Sequence, residues 1–152
     1  MKETLSTRIL KFSLYIIFVV GIFGTATLPF MLDSYFRLFN VVSYTGEWER
    51  TFITAFLISV AIPGLWILFE MILMMCSIPR GPFIMRNVYA LRRCGVILLV
   101  ITAMFLVKCF IDYTFLTMAC VFLFLICGFF AFTLSNLFRQ AVIFKEENEL
   151  TI

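Results

Sequence analysis

One acid stands alone inside an apolar run. Glu70 follows Phe69 in a segment that is free of charge from Phe52 onwards and turns apolar again from Met71 to Ile78. A carboxylate in hydrocarbon is costly unless it is paired or protonated, and such residues mark ion pairs or ion and proton paths. Three chemistries follow for Glu70. The leading one is a structural ion pair, with Arg139, at the end of the last apolar run, as the expected partner. The others are transport of a proton or ion and sensing through altered protonation. Glu70 and Arg139 are therefore the candidate intramembrane polar site.

Around that site the repertoire is narrow. The chain has no His, which removes the usual haem ligand, most zinc sites and the His-based catalytic triads. Its five Cys are Cys76, Cys94, Cys109, Cys120 and Cys127, and no two form a Cys-x-x-Cys pair. An odd count prevents a complete set of internal disulfides. In apolar runs a free Cys behaves as a small hydrophobe, and Cys120 and Cys127, seven apart on one helix face, are expected to pack as such. Gly-rich phosphate loops, paired catalytic carboxylates, nucleophile motifs and metal clusters are all missing. The expectation is therefore no enzyme and no cofactor.

A second concentration of polar chemistry lies in the middle, from Pro79 to Gly95, with Arg80, Arg86, Arg92 and Arg93. A third is the tail, with Lys145, Glu146, Glu147 and Glu149. Negative charge at a helix C-terminus is disfavoured by the helix dipole, so the acidic tail is expected to pack beside the central arginines.

The elements that must position these groups are membrane helices. Hydrophobic residues make up 63% of the 152 and charged residues 14%, against about 45–50% and about 25% in ordinary soluble domains. Charge-free runs cover Phe12–Leu32, Phe52–Phe69, Cys94–Val107 and Tyr113–Phe138, and about 20 apolar residues span a bilayer core. Basic residues ahead of the first run also suit a secretory leader. The run continues past Thr25 and Ala26 into Leu28–Leu32, which predicts a retained helix. The third run reaches spanning length if Lys108 snorkels and the helix continues to Asp112. Lys108 and Asp112, four apart, are expected to pair. Pro63-Gly64 predicts a kink, and the aromatic loop Asp33–Arg50 is expected at the membrane surface.

Within the central stretch, Ile84, Val88, Leu91 and Gly95 share one helical side, and Arg86, Tyr89 and Arg93 take the other. The fold class expected is all-α: an integral membrane four-helix bundle with a short amphipathic cytoplasmic helix between helices two and three. Residues 1–152 form one domain, with helices at about 12–32, 51–77, 94–112 and 114–138 and the amphipathic helix at about 82–93. Lys2, Arg8, Lys11, Arg80, Arg86, Arg92, Arg93, Arg139 and Lys145 fall on one side of such a bundle, and Arg37, Arg50 and Lys108 on the other. Positive charge collects inside, so both termini are expected in the cytoplasm.

Two stretches carry a family resemblance. One is Gly81-Pro82-Phe83-Ile84-Met85-Arg86-Asn87-Val88, leading to Leu91-Arg92-Arg93-Cys94-Gly95. The other is Lys145-Glu146-Glu147-Asn148-Glu149-Leu150-Thr151-Ile152, preceded by Phe138-Arg139-Gln140-Ala141. Together they resemble the bacterial membrane family known as domain of unknown function 2975. Ile84-Met85-Arg86 departs from that pattern, which often has polar or acidic residues before the Asn. The resemblance implies four membrane helices and a partner at the inner membrane face, because such proteins are often encoded beside a small helix-turn-helix DNA-binding regulator.

The reading that combines these features is a regulatory or sensing membrane protein in the bacterial cell membrane. Its docking face would comprise Pro82, Phe83, Arg86, Asn87, Leu91, Arg92 and Arg93 with Lys145, Glu146, Glu147, Asn148, Glu149, Leu150, Thr151 and Ile152. The partners expected are the lipid bilayer and a cytoplasmic DNA-binding regulator, with no direct contact to nucleic acid. The rival readings are a transporter or ion-permeation subunit using Glu70, assembled as a homo-oligomer, and a structural or assembly subunit.

Overall fold

In hydrocarbon every backbone N–H and C=O must be satisfied within the chain, so an apolar run of this length becomes a helix. The computed structural model describes residues 5–39, 47–77 and 84–150. They form four helices: α1 (Leu5–Phe39), α2 (Glu47–Ser77), α3 (Met85–Ile111) and α4 (Phe115–Leu150). Each is long and apolar enough to cross a membrane, which fits a helical bundle. All outlast a bilayer core of about 30 Å: at about 1.5 Å per residue the shortest reaches ~40 Å and the longest ~54 Å.

The helix ends follow local chemistry. Ile84 is extended (φ −131°, ψ 139°) and α3 starts directly after it. The N–H of Asn87 closes the first turn on the Ile84 carbonyl at 2.9 Å. At the other end Asp112 leaves the helix while its N–H still reaches the Lys108 carbonyl at 2.8 Å. Two residues later the Thr114 carbonyl accepts from Met118 at 3.1 Å and α4 begins. The turn between α3 and α4 is as tight as the charge pattern requires, and α3 does run on past Lys108.

Residues 85–93 are the opening turns of α3, continuous with its span, so among the described residues the expected amphipathic stretch belongs to α3 and is not a helix of its own. No Pro falls between Met85 and Ile111, and a break there would strand backbone groups. The two-sided pattern itself is present: Val88 and Gly95 are buried, while Arg86, Tyr89 and Arg93 are exposed. Pro82 and Phe83, the first two residues of the expected amphipathic helix, lie outside the described residues.

The substantial contacts join helices that are neighbours in the chain, α1 to α2, α2 to α3 and α3 to α4, with the last the most extensive. Gly95 and Gly128 explain it. A Cβ at Gly95 would sit 3.2 Å from the Phe132 ring and 3.3 Å from the Gly128 carbonyl. A Cβ at Gly128 would sit 3.0 Å from a Leu99 methyl. Small residues let membrane helices approach closely enough for dispersion to hold them. Further along, the Phe105 ring of α3 meets Phe56 of α2 edge-on at 5.2 Å and Phe124 of α4 at 5.4 Å. Between α1 and α2, Phe18 and Phe69 stand 6.3 Å apart.

Candidate functional site

The polar side chains that could act together gather toward one end of the α2–α3–α4 group. They are placed by the antiparallel pairing of α2 with α3. Phe56 faces Phe105 near one end of that pair, and Ser77 faces Asn87 near the other. That register brings Glu70 opposite Arg93.

Arg93 grips Glu70 with two contacts, Nε to Oε1 at 2.8 Å and Nη2 to Oε2 at 3.0 Å. The carboxylate is buried, with 7% of its side chain exposed, whereas 55% of Arg93 is exposed. Both carboxylate oxygens are thus taken by one planar fork, the strongest geometry for this pair. The expected Glu70–Arg139 pair is not formed. Arg139 belongs to α4, which packs on α3 and makes no substantial contact with α2. Arg93, assigned from the sequence to the docking face, is the residue that pairs with Glu70.

Below this pair sits a second tie. The Ser77 hydroxyl lies 2.7 Å from the Met74 carbonyl and 2.8 Å from Asn87 Oδ1. Asn87 is only 3% exposed, so it holds α2 to α3 and offers no surface to a partner. A third tie joins α3 to α4, where Ser135 Oγ donates to the Val88 carbonyl at 3.0 Å. At the far end Lys108 reaches Asp112 at 3.2 Å, as the i,i+4 spacing predicts.

Of the other docking-face residues, Arg86 and Arg92 are exposed and Leu91 is half-buried on α3. Lys145, Glu146, Glu147 and Asn148 are exposed on the last turns of α4. Glu149 and Leu150 complete that helix. Thr151 and Ile152, like Pro82 and Phe83, lie outside the described residues, as does the loop on which the tail was expected to rest. Val142, past Arg139, is only 2% exposed, so α4 stays packed beyond its apolar run.

Two concavities flank the start of α3. A groove of about 660 Å³ between α2 and α3 is walled by Ile62, Pro63, Trp66, Val96 and Ile97, and Tyr89, Arg92 and Arg93 close its end. A smaller cleft of about 220 Å³ between α3 and α4 is lined by Met85, Val88, Tyr89, Arg92, Ser135, Asn136 and Arg139. Sequence reasoning assigned no role to Trp66 or Asn136. Their signal is three-dimensional, since Pro63 and Trp66 matter only once α3 lies beside them. The five Cys are all free thiols, and among the described residues no three His, Cys, Asp or Glu side chains could share a metal ion.

Comparison of the chain with family models, with curated proteins and with solved structures finds no match.

Proposed function

We propose that this is a small four-span membrane protein of the bacterial cell membrane, acting as the regulatory or sensing partner of a soluble helix-turn-helix DNA-binding regulator. Both termini face the cytoplasm, the side on which nine of its twelve basic residues then fall. The reading does not require catalysis.

One observation carries the proposal. α4 has 36 residues, about 54 Å of helix, and Lys145, Glu146, Glu147 and Asn148 are exposed on its last turns. A helix that only had to cross would have no use for such an overrun. A protruding, charged helical tip suits a protein partner in water, and exposed Arg86 in the first turn of α3 lies toward the same end. The resemblance of the central stretch and the tail to domain of unknown function 2975 supports the same partner class. Glu70 has a structural role in this reading, because Arg93 occupies both of its oxygens.

The test is co-purification in detergent with the regulator encoded beside this gene. Recovery should fall to background on deletion of residues 145–152, and also on reversal of the exposed tip charge with Glu146→Lys. Unchanged recovery in both variants sinks the proposal.

A further inference from the structure

The arginines around the start of α3 outnumber the carboxylates available to them. Glu70 neutralises Arg93. Among the described residues, no carboxylate lies within ion-pair distance of Arg92 or Arg139. Both belong to helices that span by length and composition. An arginine within a membrane helix is expensive unless its guanidinium reaches a counter-charge or the interface.

The surroundings of these two guanidiniums define what the counter-charge looks like. Arg92 and Tyr89 line both concavities described above. On one side of them lies an open apolar trough of about 660 Å³, walled by Ile62, Pro63, Trp66, Val96 and Ile97, a lining that suits a hydrocarbon chain. On the other lies a polar cleft lined by Arg92, Arg139, Ser135 and Asn136. A ligand that satisfies both halves has an acyl chain and a phosphate. The phosphate accepts from guanidiniums in a fork that matches its oxygens. The surplus of positive charge further selects a lipid whose headgroup adds no ammonium of its own.

We propose that the α2–α3 groove and the Arg92–Arg139 cleft together form a binding site for one anionic phospholipid. Its phosphate lies on Arg92 and Arg139, and one acyl chain lies along Pro63 and Trp66. The site is separate from the protruding tip of α4 and does not depend on the regulator.

Trp66 reports on it directly. The chain has two Trp, and Trp48, on the first turn of α2 and well exposed, is removed as Trp48→Phe. The full-length protein is then reconstituted in vesicles of brominated phosphatidylglycerol or brominated phosphatidylcholine mixed with unbrominated lipid. Quenching of Trp66 should favour phosphatidylglycerol. Arg92→Gln should lower that preference by about fivefold, the size of one basic residue's attraction to an anionic surface. Adding Arg139→Gln should remove most of what remains, while Arg92→Lys and the remote Lys145→Gln keep most of it. Quenching by phosphatidylcholine serves as the folding control. Equal quenching by both lipids in the parent protein overturns the proposal, as does a preference untouched in the Arg92→Gln/Arg139→Gln variant. Relief of the quenching by excess glycerol phosphate or inorganic phosphate would assign the cleft to a free anion and overturn the lipid.

Discussion

The two halves of this chain solve the same problem differently. In the α3–α4 half, glycines face each other and a serine crosses to the opposing backbone. Buried residues recur from Asn87 to Thr102 on α3 and from Thr117 to Val142 on α4. In the α1–α2 half, buried positions are few: Leu14 on α1, and Glu70, Ile72 and Ser77 on α2 among the described residues. There the hydroxyls of Thr25, Thr27, Thr54 and Ser59 turn back onto carbonyls of their own helices. Gly24 and Gly64 face open space, with nothing within 4 Å of where a Cβ would be. Lipid tails are as apolar as Leu, so a membrane interface is held only by close packing and by polar ties. The second half has both. The first has aromatic contacts, one close approach of Gly21 to Leu65 and a single weak side-chain tie, Tyr15 to the Cys76 thiol at 3.7 Å, and it is joined to the rest chiefly by the polar ties of α2 to α3.

The contrast is broken most severely at the glycines. Gly95→Leu or Gly128→Leu should push α3 and α4 apart, because the new side chain meets an aromatic ring, a neighbouring methyl or backbone, at 3.0–3.3 Å already at its Cβ. Loss of most folded protein in detergent is expected, beyond the cost of about 1–3 kcal/mol typical of overpacking. Gly24→Leu should leave the melting transition within about a degree or two, since it points into open space. Gly21 lies between these extremes: a Cβ there meets only a Leu65 methyl at 2.9 Å, and that flexible end can move. Thermal denaturation of the three variants side by side measures the difference, and equal losses at Gly24 and Gly95 would remove it.

The next effect is the attachment of α2 to α3. Arg93→Gln should cost more than Glu70→Gln. Without Arg93 a carboxylate with 7% exposure is left uncompensated, and breaking a buried pair in this way costs about 3 kcal/mol. Without Glu70, the half-exposed Arg93 can turn towards water or headgroups, and about 1 kcal/mol is expected. The double variant should recover much of the difference. Unfolding in graded denaturing detergent supplies all corners of the cycle. Additive losses would mean that the pair holds nothing together.

The third effect separates hydroxyls that cross between helices from those that do not. Ser135→Ala removes a bond to the Val88 carbonyl and should cost about 0.6–1 kcal/mol. Thr25→Val removes only a bond to Gly21 within α1 and should be close to neutral.

What the sequence made legible follows the same division. Four helices could be read from four charge-free runs, because desolvating a backbone leaves a helix no alternative. Their ends could not. α1 covers Leu5–Phe39, where the apolar run alone suggests 12–32, since loss of hydropathy marks the edge of the hydrocarbon and does not stop a helix. The same reasoning explains why residues 85–93 did not become a helix of their own. Glu70 was legible as a residue in need of a partner. Arg93 was not legible as that partner, because the choice depends on the register of α2 against α3. Gly95 and Gly128 were visible as glycines, but their meeting is a fact of the α3–α4 register. Pro82, Phe83, Thr151 and Ile152 of the expected docking face fall outside the described residues.

The smallest expected effect tests whether the tight half is tight throughout or only along its glycine seam. Near the α3–α4 turn, Lys108 reaches Asp112 at 3.2 Å and Thr117 Oγ1 at 3.5 Å, and its ammonium stands 5.9 Å from the Phe56 ring centroid. The cation therefore touches α2 and α4 as well as its own helix. Its side chain is only 14% exposed, whereas Asp112 is 38% exposed. Asp112→Asn removes one of several supports and leaves an amide that still accepts a hydrogen bond. The expected loss is about 0.2–0.5 kcal/mol, the size of an i,i+4 pair. Lys108→Met, which removes the charge together with all three contacts, should cost more than Asp112→Asn if the lysine ties three helices. If the two variants melt together, the contacts to Thr117 and Phe56 contribute nothing, and the second half is held by its glycine seam, the Ser135 tie and the Phe105–Phe124 contact without help from the lysine.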